Sequence, residues 1–307
     1  MEIFPCLSQF SPAARPTAVA IGNFDGVHVG HQRILKTLVA AATKDGLQSV
    51  VLTFSPHPEK VLGRGPIKMI QTLDQRLAGI GRSGVDATLV VPFNRRFSGF
   101  STEDFAAKVL AGALKARKVL VGCNFHFGKG RQGDRRTLAE LGKKYGFAVC
   151  PIPPVLKAGR VVSSSLIRNL LSRGDIGQAN RLLGRPYEIA GVVIRGTGRG
   201  KGLGFPTANL ETKNEILPPG VFISTTGWGR RRLPSLSNVG GNPTYGEEPL
   251  HLESYILDLK RNLYGKTLVV RFLKRIRDEK KFENSEALIR RMDKDLTLAR
   301  AYFAKRK

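Results

Sequence analysis

Short apolar runs alternate with helix-spaced apolar residues over the first 183 residues, and this alternation restricts the possible folds more than any other feature of the chain. Apolar side chains recur at helical spacing at Phe105, Val109 and Leu110, for example. Runs with the composition of buried strands occur at residues 18–21, 49–54, 87–91, 118–121 and 147–149. Strands that alternate with helices predict an α/β domain with a doubly wound parallel sheet and helices on both faces.

The pattern changes near residue 184. Apolar residues at helical spacing between Leu288 and Phe303 predict a terminal helix, with Asn284 or Ser285 as its N-cap. Before that helix, short β-rich runs separated by glycine and proline clusters are typical of an antiparallel β-barrel; they lie at residues 191–195, 221–225, 252–257 and 267–272. We therefore expect two domains, residues 1–183 and residues 184–307.

Composition agrees with two globular domains, since 41% of the 307 residues are hydrophobic. No run approaches the roughly 18 apolar residues of a membrane helix, and the first residues lack a basic leader before an apolar stretch. Cys6, Cys123 and Cys150 form no CxxC pair. We expect a reducing, cytoplasmic setting, no membrane association and no zinc site.

The chain is strongly basic, with 50 Lys and Arg against 24 Asp and Glu, a formal charge of +26. An RNA-binding protein without enzymatic activity is therefore an alternative. The charge is spread out, however, and the triplet at residues 230–232 has the character of a solvated hairpin loop. Because no stacking aromatics interleave with these charges, nucleic-acid binding is disfavoured as the main role. A positive field that attracts ATP and phosphorylated substrates is the milder interpretation.

Residues 22–31, GNFDGVHVGH, follow an apolar strand and lead into a helix. The unpaired N–H groups at a helix start attract phosphate, and His28 and His31 share one helix face there. Gly26 and Gly30 let a nucleotide approach the backbone. The pattern predicts nucleotidyl transfer, with the histidines stabilising charge on the transferred phosphate. The alternative is that the two histidines only cap the helix.

Five further segments follow in order: TFSPHP (residues 53–58), VGCNFHFG (121–128), Gly133-Asp134, SSSLIR (163–168) and GFPTAN (204–209). With the GNFDGVHVGH segment they resemble the prokaryotic bifunctional riboflavin kinase/FAD synthetase family over nearly the whole chain. The resemblance implies that the first domain adenylylates FMN to FAD and the second phosphorylates riboflavin to FMN. ATP would be the co-substrate of both steps and Mg²⁺ the cofactor. A cytidylyltransferase with the same first domain is a second rival, and residues 196–209 argue against it.

The resemblance also implies site residues in the first domain. ATP would contact a set that surrounds the two histidines and the serine run: Gly22, Asn23, Phe24, Asp25, His28, His31, Ser163, Ser164, Ser165 and Arg168. Flavin would contact residues after two strands: His57, Asn124, Phe125 and His126. The family usually has Arg where His126 stands and Thr where Ser165 stands, so phosphate or flavin contacts at position 126 are in doubt.

Plainer interpretations stay open for several of these residues. Asn23 and Asp25 are equally suited to an Asx turn. The serine run is also an ordinary cap for a helix over residues 166–171, in which Arg168 could fork onto phosphate oxygens. His57 also suits a surface loop. Phe125, like the phenylalanine two residues later, is better explained by core packing than by stacking on a flavin.

In the second domain the resemblance assigns Glu253 as the catalytic base. It lies on a strand-like run with alternating polarity, and a carboxylate there can orient and deprotonate a primary alcohol. An ordinary surface glutamate is the alternative. The resemblance further implies that Thr207 and Asn209 hold Mg²⁺ and ATP phosphates, that Arg277 contacts flavin, and that a glycine loop wraps the nucleotide through Gly198, Gly200, Gly202 and Gly204. The expected partners are small molecules, and no oligomeric state is predicted.

Overall fold

The computed structural model describes residues 1–12, 15–63, 65–196, 204–241, 250–280 and 282–305. It divides into two compact units, Met1–Ser164 and Ser165–Lys307. Residues 165–183, the end of the first predicted domain, are mostly helical and belong to the second unit.

The first unit is built on a parallel sheet, as its strand–helix alternation predicts, and the sheet has six strands where the sequence indicated five. They are β1 (Glu2–Phe4), β2 (Thr17–Ile21), β3 (Gln48–Ser55), β4 (Ala87–Pro92), β5 (Ala116–Gly122) and β6 (Ala148–Ile152). Their order in the sheet is β1-β4-β3-β2-β5-β6. A short antiparallel pair follows, β7 (Leu156–Lys157) and β8 (Arg160–Val161).

The helices of this unit are α1 (Val29–Lys44), α2 (Pro58–Val61), α3 (Leu73–Gly81), α4 (Arg95–Ser98), α5 (Thr102–Asp104) and α6 (Arg135–Tyr145). The helical spacing after residue 104 becomes a π-helix, Phe105–Ala113. Local sequence sets several helix starts. Thr72 and Gln75 form a reciprocal capping box at α3, and the Asp134 carboxylate accepts from two backbone N–H groups at the start of α6.

The sheet buries side chains on both faces. Along β2, Val19 and Ile21 join one core cluster, which includes residues of the π-helix and α6. Ala18 and Ala20 join the other cluster, which includes residues of α1. Successive side chains of a strand point to opposite faces, so an uninterrupted apolar strand requires cover on both sides. The doubly wound architecture is thus confirmed.

The chain leaves β2 for β3 on one side and later returns to place β5 on the other side. Strands β2 and β5 therefore flank a topological switch point, where open α/β sheets bind ligands outside the carboxyl ends of their strands. Both the GNFDGVHVGH segment and residues 123–128 begin at this edge.

The second unit begins with α7 (Ser164–Ser172) and α8 (Ile176–Leu183), the first of which starts at the unit boundary. Six antiparallel strands then close a barrel in the order β10-β13-β12-β11-β14-β9. They are β9 (Tyr187–Ile194), β10 (Ala208–Thr212), β11 (Gly220–Gly227), β12 (Leu233–Gly240), β13 (His251–Ile256) and β14 (Thr267–Arg277). The terminal helix is α9 (Ser285–Ala304). Asn284 caps it by accepting from Ala287 N–H at 2.9 Å, which resolves the two alternatives for its start.

The barrel has a polar as well as an apolar core. The large buried rings include those of Phe222 and Phe272, whose centroids are 5.1 Å apart. Five buried hydroxyls bond to one another at 2.7–3.2 Å: Ser224, Thr226, Ser235, Ser237 and Ser254. Each hydroxyl both donates and accepts, so the network satisfies these groups. Among the described residues, no helix is both long and apolar enough to span a membrane.

Candidate active sites

The turn after β2 has an unusual backbone. Phe24 and Val27 have positive φ values of 51° and 38°, and Gly26 has 85°. Both non-glycine residues are almost fully buried, Phe24 at 0% exposure and Val27 at 2%. Such conformations are costly for side chains with a Cβ and persist where packing over-determines them. The two buried side chains thus hold the turn in a shape that the local sequence alone would not adopt.

His28 is the N-cap of α1. Its Nδ1 accepts from the backbone N–H of His31 at 3.3 Å, and its side chain is buried. The capping interpretation is thus true of His28, but it does not exclude a role towards phosphate. With Nδ1 as the acceptor, the proton of the neutral imidazole lies on Nε2, which is a hydrogen-bond donor. The cap therefore sets the tautomer that electrostatic stabilisation of an anion requires.

The two histidines stack on each other. Their ring centroids are 3.7 Å apart at an interplanar angle of 16°. The ring of Phe24 lies 5.2 Å from that of His31. A Cβ at Gly30 would approach Cε1 and Nδ1 of His28 to 3.1 Å, so glycine at this position makes room for the ring. The pair is thus held as a unit at the start of α1.

A buried charge pair lies beneath the turn. The Asp25 carboxylate has no exposed surface and accepts from Ile70 N–H at 3.1 Å. Arg76 is 4% exposed and donates to the carbonyl oxygens of Asn23 and Phe54, each at 2.9 Å. Burial lowers the pKa of Arg76, while the negative charge of Asp25 opposes that shift. Asp25 and Arg76 thus link the turn to the end of β3 and to α3.

Sequence analysis did not identify Arg76. An arginine within a helix is ordinarily exposed, and its spacing from the neighbouring motifs carries no signal. Its burial follows from the tertiary structure, because the inward face of α3 meets the carbonyl oxygens at the ends of β2 and β3.

His57 lies close to the same turn. The Asn23 amide is 2.8 Å from its Nε2, and its Nδ1 accepts from Glu59 N–H at 3.2 Å. His57 is 6% exposed and caps α2. The structure therefore brings the TFSPHP and GNFDGVHVGH segments together, and the plain surface-loop interpretation of His57 does not describe it.

Of the residues that follow β5, some lie in the protein core and others are exposed. Phe127 is buried and stacks on Phe125 at 5.5 Å, with Phe125 partly buried against the same cluster. Reciprocal backbone hydrogen bonds of 3.0 Å join Phe127 to Gly133. Asn124 and His126 are exposed at this end of the sheet. The packing interpretation of the phenylalanines therefore describes the structure.

The serine run lies partly inside a helix. α7 begins at Ser164, two residues before the predicted start, so only Ser163 precedes it. Ser164 Oγ donates to the backbone oxygen of Asp25 at 2.8 Å, a contact within the first unit. Ser165 and Arg168 follow in the same helix, within the second unit.

In the barrel, Glu253 lies between two polar residues of neighbouring strands. It pairs with Asn209 across β10 and with Asn238 across β12. Thr207 Oγ1 donates to Glu253 Oε2 at 3.4 Å. Glu253 is half-buried between the buried Leu252 and Ser254, which agrees with the alternation expected from sequence.

Sequence analysis did not identify Asn238. The residue lies within β12, directly opposite Glu253. Its Oδ1 is buried and has no hydrogen-bond partner among the described residues. A buried oxygen of this kind needs a ligand, an ion or a water.

The glycine loop is described only at its ends. Gly198, Gly200 and Gly202 lie outside the described residues. Gly204, with φ of 84°, adopts a backbone conformation that other residues avoid. At the other end, a Cβ on Gly196 would lie 2.6 Å from Cγ of Asn209, so the bare backbone packs against that side chain.

Arg277 anchors the terminal helix. Its Nε lies 2.8 Å from Asp295 Oδ2, and its NH1 donates to the backbone oxygen of Asp278 at 3.0 Å. Asp295 is 2% exposed and also pairs with Arg291 at 3.2 Å. A cavity of about 350 Å³ lies here, lined by Arg277, Asp278, Glu279, Lys280, Phe282 and Arg291.

Comparison with known proteins identifies a family for each part of the chain. The FAD synthetase family model matches residues 10–166, and the riboflavin kinase family model matches residues 183–303. The bifunctional riboflavin kinase/FMN adenylyltransferase of Pseudomonas fluorescens is 36% identical over 99% of this chain and 98% of its own length. That of Escherichia coli K12 is 33% identical over the same shares.

Among solved structures, a macrolide-efflux protein from Streptococcus pneumoniae matches with a TM-score of 0.87 at 29% identity, covering 98% of this chain and 99% of its own. Both halves of the chain and the relatives that span it therefore lead to one assignment. The chain belongs to the family of bifunctional riboflavin kinase/FMN adenylyltransferases, enzymes that phosphorylate riboflavin to FMN and then adenylylate FMN to FAD.

Proposed function

We propose that each reaction belongs to one domain, adenylyl transfer to residues 1–183 and riboflavin phosphorylation to residues 184–307. The observation that carries this proposal is the presence of two unlike constellations. One is the stacked His28–His31 pair at the switch point of a parallel sheet. The other is Glu253 on the barrel, hydrogen-bonded to Thr207.

In the adenylyl step, an oxygen of the FMN phosphate attacks the α-phosphorus of ATP. The bond from that phosphorus to the bridging oxygen breaks, and pyrophosphate leaves. The attacking phosphate is already an anion, so positioning and charge stabilisation dominate. His28, through Nε2–H, and His31 stabilise the charge that grows on the α-phosphate oxygens.

The other predicted residues of this domain would either contact the substrates or support the turn that does so. Ser163, Ser164, Ser165 and Arg168 would contact ATP, and His57, Asn124, Phe125 and His126 would line the flavin side. Gly22, Asn23 and Phe24 form the nucleotide-binding turn. Asp25 would act on ATP through the shape of that turn, because its carboxylate is fully buried.

In the kinase step, the Glu253 carboxylate takes the proton of the riboflavin 5′-hydroxyl. The oxygen then bonds to the γ-phosphorus of ATP, and the bond to the β–γ bridging oxygen breaks to release ADP. Thr207 orients the carboxylate through its hydrogen bond. Residues from Gly198 to Gly204 would enclose the nucleotide, and Arg277 would contact the flavin from the cavity it lines.

The donor chemistry around Glu253 fits Mg²⁺. Thr207 and Asn209 would hold the ion, and the buried Oδ1 of Asn238 is a further hard oxygen on the strand at the other side of Glu253. Magnesium prefers such ligands, uses few protein groups and retains waters. When bound, it would neutralise charge on the β- and γ-phosphate oxygens.

The setting we propose is the cytoplasm, where ATP is available and the three free cysteines stay reduced. The substrates are small molecules.

Paired variants test whether each domain carries one of the two reactions. His28→Ala with His31→Ala should preserve riboflavin phosphorylation and let FMN accumulate. Glu253→Ala should block FMN formation, while supplied FMN still becomes FAD. Glu211→Ala, an exposed glutamate on β10, is the matched control and should leave both steps intact. Chromatographic separation of the flavins is the readout. If either active-site variant stopped both reactions in folded protein, the proposal would be wrong.

A further inference from the structure

The hairpin between β11 and β12 carries an unusual tip. Its connection is Trp228-Gly229-Arg230-Arg231-Arg232, in which all three arginines are exposed and the tryptophan is partly exposed. Arg231 N–H donates to the backbone oxygen of Trp228 at 3.1 Å, which closes the turn. Within the described residues, the arginines form no ion pair and the indole contacts no other aromatic ring.

The strand register shows which other residues share this end of the barrel. Thr226 pairs with Leu233 beside the tip, and Gly227 pairs with Val269 near the start of β14. β13 ends at Ile256 opposite Ser235, so its connection to β14 emerges at the same end. β9 also ends there, because Val192 pairs with Thr267.

These connections extend the positive charge. They contribute four further exposed basic residues, Arg195, Lys260, Arg261 and Lys266. Asp258 is the acidic residue of the described connections, and Arg300 already neutralises it through two hydrogen bonds of 2.7 and 3.1 Å. The end of the barrel therefore presents a basic rim, defined as these four residues with Arg230, Arg231 and Arg232.

We propose that Trp228 and the basic rim form a binding surface for single-stranded nucleic acid. Unpaired guanidinium groups bind phosphates, and a partly exposed indole can stack on an unpaired base. A base inside a duplex cannot reach the ring, so single strands are preferred. The tip has the stacking aromatic beside its charges that sequence analysis did not take into account. The surface would act in addition to flavin synthesis.

The chain offers a direct probe, because Trp228 is its only tryptophan. Titration with a 12-nucleotide oligouridylate at low salt should quench the intrinsic fluorescence. For a single strand, the logarithm of affinity falls with the logarithm of salt by about 0.7 per phosphate neutralised. Replacing Arg230, Arg231 and Arg232 by alanine should therefore reduce that slope by about 2 and weaken binding at least tenfold in low salt.

A charge-matched control separates a site from general attraction. Replacement of Arg135, Arg136 and Lys143, all exposed on α6, removes the same charge and should change oligonucleotide binding less than twofold. Trp228→Ala should weaken binding several-fold. Its binding is measured with labelled oligonucleotide, because the variant has no tryptophan. Riboflavin phosphorylation by each variant reports that the barrel is folded.

Four outcomes would overturn the proposal. Equal losses from the two triple variants would show diffuse attraction only. Displacement of the oligonucleotide by saturating ATP and Mg²⁺ would place it in the kinase site. Equal affinity for a duplex of the same length, with no quenching of the Trp228 fluorescence, would show that the indole does not stack on a base. Binding to phosphatidylglycerol vesicles but not to oligouridylate would assign the surface to membranes.

Discussion

Arg76 offers the sharpest test of how the adenylyltransferase turn is held. Its guanidinium is almost fully buried and donates to the backbone oxygens of Asn23 and Phe54. We consider Arg76→Met, which keeps much of the side-chain volume and removes the charge and both donors. Asp25, buried beside it, then loses its positive neighbour.

The cost follows from these contacts. A hydrogen bond that involves a charged group contributes about 1.5–3 kcal/mol net. Thr53 Oγ1 also donates to the Asn23 oxygen, at 3.2 Å, so that carbonyl keeps a partner. We therefore expect the full loss at one carbonyl and a partial loss at the other. The stability of the first unit should fall by about 3 kcal/mol. Displacement of the histidine-bearing turn should lower the adenylylation rate about 100-fold.

Two measurements check this expectation. Adenylylation of supplied FMN should fall in kcat more than in KM for ATP, while riboflavin phosphorylation stays unchanged as an internal folding control. Hydrogen exchange at the Ile70 amide, which is protected by Asp25, should accelerate. Arg76→Lys keeps the charge but cannot fork onto two carbonyl groups, so it should recover part of the rate. An Arg76→Met variant with unchanged FAD synthesis and unchanged Ile70 exchange would refute the reasoning.

Three further changes have defined outcomes. Gly30→Ala should lower the adenylylation rate several-fold without affecting the kinase, because the new methyl group crowds the His28 ring. Asp295→Ala should destabilise the barrel unit by about 3 kcal/mol in chemical denaturation, since it leaves the partly buried Arg277 uncompensated. Hydrogen bonds from the backbone and side chain of Thr137 help to lower the pKa of Asp134 below its ordinary value. The stabilising effect of the Asp134 carboxylate should therefore be complete above about pH 5 and disappear as the pH falls through the lowered pKa.

For each of these three expectations, one outcome would contradict the reasoning. For Gly30→Ala, FAD synthesis at the normal rate would show that the ring has room to shift. For Asp295→Ala, an unchanged denaturation midpoint would show that the ion pairs contribute nothing net. For Asp134, the melting-temperature advantage over Asp134→Asn should shrink between pH 6 and pH 3. A constant advantage across that range would contradict the shifted pKa.

Sequence patterns determined the architecture because they report burial directly. An uninterrupted apolar strand such as β2 must be covered on both faces, and this requirement predicts the doubly wound sheet. Along the barrel strands, successive residues alternate between a buried and a polar face. This alternation predicted that Glu253 lies on the polar face. The order of the motifs along the chain predicted the family, which the family models confirm. The structure extended most strands by a few residues and moved the start of α7 to Ser164.

Contacts between distant segments were decided only by the tertiary structure. Nothing local to Arg76 distinguishes it from a surface arginine, and nothing local to Asn238 places it opposite Glu253. The pairing of His57 with Asn23 likewise depends on two loops that meet at one edge of the sheet. Periodicity encodes which face of an element is buried, because burial acts residue by residue. Which polar groups meet depends on strand register and helix packing, and these are set by the whole core at once.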